Sequence, residues 1–398
     1  MVFYAALMLL LITFASDSDD MEIVPKDYNR DLPPIINDLP VPVYVSCQIL
    51  GIDSINEASM DFRLLLLIIS VWKDPRLNLK HIVSEYPVVF PSGEREKIWM
   101  PKFGFPNSKK IEKFDETTGF SVVKVLKDES LYGVLRTNLL VDCPMELHDY
   151  PMDVQICQFL ISIKVYTDKE TVLKWLGEEG SPYQYLGKSV HIRNINLLKF
   201  QMNDVQTKKY TAVWVSGNFT TLIAEFKFTR RLTGNLMNVY IPSTLVVMLS
   251  WLSFWIDVHA APARITLGVT SILTLVTHLV QSRSFVPPVD YLKALDVWFI
   301  FCIVLIFLSL LEYALAYNFV LKKRTAKETR VRAFRPDSKE KESRLVKVWI
   351  SYLKDKTSTL IEAKDLNVYD KVSRYLFPFV FVNFASFYCV YYLSNRDL

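Results

Sequence analysis

After Arg231 the chain carries four apolar stretches near or above bilayer-spanning length: Val239 to Val258, Ile265 to Val280, Leu295 to Val320 and Tyr375 to Leu393. A soluble core cannot absorb four such runs. With 51% apolar residues over 398 positions, the chain reads as a multi-pass membrane protein. Its basic excess is local: residues 321–371 hold 15 Lys or Arg against 8 Asp or Glu, while the whole chain nets only +4. By the positive-inside rule that segment is a cytoplasmic loop. Four crossings around it place both termini outside and a tight turn, Asp257 to Ala263, inside. No nucleic acid is implied as a partner.

Residues 1–15, with an apolar run from Val2 to Phe14, are too short to cross a bilayer and have the form of a cleaved signal peptide. Residues 16–234 have a different texture: short alternating or apolar runs, such as Val41 to Ile49, Asp61 to Trp72, Val122 to Lys127 and Thr221 to Phe228, broken by turn residues. This pattern predicts a β-sandwich. The expected organisation is therefore an extracellular β-sandwich at 16–234, membrane helices one to three within 235–320, the basic loop at 321–371, and a fourth helix with a short tail at 372–398. Of five cysteines, Cys302 and Cys389 fall in membrane-length runs, where a thiol is packing. Outside the membrane, Cys143 and Cys157 are the natural pair, with Cys47 left over.

The second apolar stretch differs from the others. Thr266, Thr270, Thr274 and Thr277 interrupt it, and at 100° per residue Thr266, Thr270, Leu273 and Thr277 form one stripe. A polar stripe with one Leu in its middle suits a water-filled pore with a hydrophobic constriction. The same hydroxyls could equally bond back to their own helix.

The string CPMELHDYPMDVQIC, from Cys143 to Cys157, resembles the signature loop of the Cys-loop receptor family. SVWKDPRL at Ser70 to Leu77, IWMPKFGFPN at Ile98 to Asn107 and the run from Asn238 to Leu275 are similar to the glycine and GABA receptor branch, of invertebrate type. The resemblance implies a homo- or hetero-pentamer of like subunits in the plasma membrane, among membrane lipids, at a synapse. It implies a small-molecule neurotransmitter bound between adjacent extracellular domains, a pore lined by the second helix with chloride as the ion, a Cys143–Cys157 disulfide, and neither cofactor nor metal.

Selectivity has a physical argument. Pro262, Ala263 and Arg264 stand at the cytoplasmic start of the pore helix, where Arg264 would place one guanidinium per subunit at the mouth, unless it is an ordinary interfacial Arg. No Asp or Glu lies between Val258 and Gln281, and Arg283 repeats the cation at the far end. Cation-passing family members carry Glu where this chain has Ala263. Asp153 and Arg230 match family positions that pair where the sandwich meets the membrane domain, pressing on the 283–293 linker.

The agonist pocket departs from the family pattern of an aromatic cage that holds an amine. The first loop has Gly104 between Phe103 and Phe105. The second has Lys164, then Val165 and Tyr166, where an aromatic is usual, and Lys164 either serves an acidic ligand or is simply solvated. Trp214 and Phe219 of the third loop fit. On the opposite face Leu67 and Ile69 stand where carboxylate-binding relatives have an aromatic and an Arg. Asn218-Phe219-Thr220 is a glycosylation sequon. Other readings are a non-binding accessory subunit of a heteropentamer, and a transporter or scaffold with a secreted head. No catalytic triad, metal cluster or phosphate loop points to an enzyme.

Overall fold

The structure is a computed structural model, and it describes residues 22–113, 121–193, 195–284, 286–333 and 368–396. The expected signal peptide and most of the basic loop lie outside these residues. Two compact units emerge: residues 1–145 with 155–228, and residues 146–154 with 229–398.

The first unit is built from β1 (Val41–Asn56), β2 (Asp61–Lys73), β3 (Val88–Val89), β4 (Ser108–Lys113), β5 (Ser121–Val125), β6 (Ser130–Asp142), β7 (Val154–Ser162), β8 (Thr171–Trp175), β9 (Val190–Ile192), β10 (Phe200–Trp214) and β11 (Gly217–Arg230). One sheet runs β3-β5-β6-β2-β1-β8, with β4 on β6 and β9 on β1, and the second runs β10-β11-β7. In β2 the sequence LLLLII hides an alternation, because Leu64, Leu66 and Ile68 are fully buried while Leu65, Leu67 and Ile69 are half-buried. The buried set meets the inner face of the second sheet. Phe62 of β2 packs edge-on against Phe226 and Phe228 of β11 at 5.9 and 5.8 Å. Fully burying each of these rings stabilises by about 1.5–3 kcal/mol, so the aromatic cluster holds the two sheets as a sandwich.

The second unit holds four helices long and apolar enough to cross a membrane. They are α1 (Thr233–Trp255), α2 (Ala261–Arg283), α3 (Ala294–Ala333) and α4 (Val368–Arg396). The last three extend past the apolar stretches that announced them at both ends, while α1 starts before its stretch and stops at Trp255, short of Val258. The expected turn Asp257 to Ala263 is shortened because α2 starts at Ala261, and α3 continues through residue 333, beyond the boundary read at 320. Hydropathy marks only the part of a helix that lipid would accept, whereas the backbone ladder continues until a residue breaks it. In α1, Pro242 cannot donate an N–H, and a π turn at Leu236–Tyr240 precedes it. Just past the proline, the Ser243 hydroxyl donates to the carbonyls of Val239 and Tyr240 at 2.7 and 3.0 Å, and the Trp298 indole N–H of α3 donates to that hydroxyl at 2.9 Å.

Candidate functional site

In α2 the buried residues are Arg264, Gly268, Ser271 and Leu275, spaced by four, three and four, so they form one stripe turned to the rest of the unit. Gly268 has a steric reason: a Cβ there would collide with Leu310 of α3, so the glycine sets how closely α2 and α3 approach. The opposite stripe is left open by its own unit. Pro262, Ala263, Thr266, Thr270, Leu273 and Thr277 are all exposed, Leu273 at 62%. The threonine hydroxyls bond back to their helix, from Thr266 to the Pro262 carbonyl at 2.6 Å, Thr270 to Thr266 at 2.8 Å, Thr274 to Thr270 at 2.8 Å and Thr277 to Thr274 at 2.8 Å. Each donor is thereby satisfied while the oxygen keeps acceptor capacity toward the open side.

Arg264 departs from expectation. It does not present a free guanidinium at the start of α2: the residue is 1% exposed and makes a bidentate pair with Asp370 of α4, both bonds 3.0 Å. Its Nε donates to the Ile256 carbonyl at 3.0 Å, and the Tyr313 ring lies beneath it at 5.3 Å. An arginine in an apolar bundle costs several kcal/mol unless its charge and donors are met, and Asp370 meets them. At the far end Arg283, half-exposed, is also paired, its Nε donating to Asp296 at 3.1 Å.

The disulfide Cys143–Cys157 closes a loop whose residues 146–154 belong to the helical unit. Cys47 is buried, and burial pushes its thiol up to about 12, so it stays a thiol. Asp153 of the loop and Arg230 at the end of β11 come together in a pair with both side chains almost wholly buried, Nε to Oδ1 at 2.7 Å and Nη2 to Oδ2 at 3.0 Å. The Tyr150 ring lies 4.8 Å from the same guanidinium. Sequence reasoning expected the Asp153–Arg230 pair to press on the 283–293 linker but did not pick out the loop residues that touch it. His148 stacks on Tyr291 with centroids 3.8 Å apart, the Leu147 N–H donates to the Tyr291 hydroxyl at 3.0 Å, and the Ala294 N–H donates to the His148 carbonyl at 2.7 Å. Only the polar-aromatic makeup of both segments hinted at it.

In the sandwich unit, β10 and β11 form a hairpin with a two-residue turn, Val215–Ser216, and Gly217 follows at φ 129°, where a side chain would be strained. Trp214 at the tip is 59% exposed. The tip lies on the 164–168 segment, since the Asp168 N–H donates to the Asn218 carbonyl at 2.8 Å. Lys164 Nζ stands over the Trp214 ring, 5.5 Å from its centroid. Other expected pocket residues go elsewhere. Phe219 is buried, Phe105 stacks on Phe159 at 5.7 Å, Phe103 is half-buried, and Tyr166 is buried with its hydroxyl on the Asp31 carbonyl at 2.8 Å. Leu67 and Ile69 share the outward face of β2, where register places Arg136 of β6 directly opposite Leu67. That arginine was invisible without the strand pairing. Asn218 is exposed, with Thr220 buried behind it.

Residues 20–232 match the neurotransmitter-gated ion-channel ligand binding domain, and residues 239–346 match the neurotransmitter-gated ion-channel transmembrane region. The chain belongs to this family. It is a subunit of a ligand-gated, membrane-spanning ion channel, with the β-sandwich and four-helix fold of Cys-loop receptors, and the family implies a pentamer and a small-molecule ligand. This is a family of channels and not of enzymes.

Proposed function

We propose that the protein is an anion-selective subunit, passing chloride through a pentameric pore lined by α2 in the plasma membrane, with both termini outside. The observation that carries this reading is the open stripe of α2, which bears hydroxyl oxygens, one leucine and no carboxylate from Pro262 to Gln281. With Arg264 buried in its pair, the positive potential at the cytoplasmic mouth comes from the N-terminal ends of five converging α2 helices, and it goes uncancelled because the exposed Ala263 stands where cation-passing relatives carry Glu. Small-molecule binding at the β10–β11 hairpin is transmitted along β11, whose last residue is Arg230, into the loop carrying Asp153 and so to the linker ahead of α3. The test is the reversal potential of the expressed channel under chloride and sodium substitution. It should follow chloride, and deleting Pro262 while changing Ala263→Glu should move it toward cations. A reversal potential of the unaltered channel that tracks sodium and ignores chloride overturns the reading.

A further inference from the structure

The hairpin offers an aromatic face to solvent, and an indole face attracts a cation. Here the chain supplies that cation itself. Lys164 Nζ occupies the position over Trp214, held there by a side chain whose backbone is fixed beside Ile163 and the Gly104–Ser162 bridge. A free amine would have to displace a covalently attached ammonium, or settle close beside it against like-charge repulsion. An amine is therefore the wrong ligand for this face.

What the face lacks is an acceptor. Among the described residues Lys164 has no carboxylate partner, and the ring beneath it meets its charge without accepting its N–H donors. Glu170, six residues along, is committed elsewhere, accepting from the Thr167 N–H and hydroxyl at 2.9 and 3.0 Å.

We propose that the Lys164–Trp214 face takes an anionic ligand, its carboxylate on the Lys164 ammonium and its apolar body on the exposed edge of Trp214. This rests on the reading of the hairpin as the ligand site and deepens it by fixing the sign of the ligand's charge. The test uses two probes of one shape and opposite charge, cyclohexanecarboxylate and cyclohexylammonium, titrated against the purified full-length channel. Tryptophan fluorescence is the readout, with Trp214→Phe as the blank. The carboxylate should give a saturable, Trp214-dependent change. Lys164→Met should weaken it at least tenfold and Lys164→Arg should retain it. The ammonium should give no saturable change in the native protein and acquire one in Lys164→Met, where the indole is vacated. Lys164 is exposed, so its replacement leaves the fold intact. Saturation by the ammonium below the concentration needed for the carboxylate overturns the proposal. So does a Lys164→Met half-saturation within twofold of native, or the absence of any Trp214-dependent change with either probe. No current is measured, so a channel that proved cation-selective would refute the pore assignment and leave this result standing.

Discussion

At the scale of single residues, the helical unit depends on two buried ion pairs, Asp153–Arg230 and Arg264–Asp370. Removing one partner of such a pair leaves an uncompensated charge and costs about 3–5 kcal/mol, whereas removing both costs less. Asp153→Asn and Arg230→Gln should each sharply lower surface abundance, and the double variant should recover part of it; additive losses in a double-mutant cycle would show that the pair is not coupled. The same cycle on Arg264→Gln and Asp370→Asn should be equally non-additive while leaving the channel's ion selectivity unchanged, because that arginine's charge is already spent inside the bundle. Sequence could place Arg264 at the start of α2 but not supply its partner, which stands 106 residues downstream. In the sandwich, burial pushes the Tyr183 phenol up to about 12, beside its bond to Ser130 at 2.7 Å. Its neutral form is the folded one, so its contribution to stability is full below the ordinary tyrosine value of about 10 and is lost as pH rises through about 12. Alkaline unfolding of the native channel should be steeper than that of Tyr183→Phe.

At the scale of elements, α2 was the most legible part of the chain, because its threonines interrupt an apolar run at helical spacing and that stripe is left open by its own unit, as are Ile265, Val269, Val276 and Val280 beside it. Two readings of those hydroxyls stood open in the sequence, pore lining and back-bonding to the helix. The structure shows the back-bonds, and they sit on the open stripe, so the two are compatible. Leu273 is then the one bulky apolar side chain between Thr270 and Thr277 on that stripe, and five of them converging would expel water from a narrow pore. Leu273→Thr should give leak current without ligand and raise ligand sensitivity; unchanged leak at normal surface abundance would count against the gate. The close approach at Gly268 was not legible, since an isolated glycine in an apolar run carries no sign of which neighbour it admits. The β10–β11 hairpin was half legible: Trp214 and Lys164 were picked out singly, but their contact depends on a two-residue turn that folds the tip onto the 164–168 segment.

At the scale of the whole molecule, the question is how a ligand event in a sandwich becomes movement of helices, and the covalent chain gives the answer its outline. The disulfide anchors the two ends of the loop in the sandwich unit, while the nine residues from Glu146 to Val154 belong with the helices. Closing a loop of this size removes unfolded-state entropy worth about 3 kcal/mol, so the disulfide favours the folded loop. Its grip on the linker is concentrated at Tyr291, which receives the Leu147 N–H at 3.0 Å and stacks on His148. Tyr291→Phe separates these two contacts, since the ring and its stacking remain while the hydroxyl acceptor is lost. A neutral hydrogen bond of this kind is worth about 1 kcal/mol net, roughly a fivefold change in an equilibrium constant. If the bond is stronger in the open channel than in the closed one, the opening equilibrium should fall by up to that factor, seen as a smaller maximal response in single-channel open probability. Ligand binding, read separately by Trp214 fluorescence, should be unchanged to within twofold, because the substitution lies in the helical unit. A Tyr291→Phe channel that opens as readily as the native one would show that the Leu147 bond is equally strong in both states and that transmission runs instead through Asp153 and Arg230.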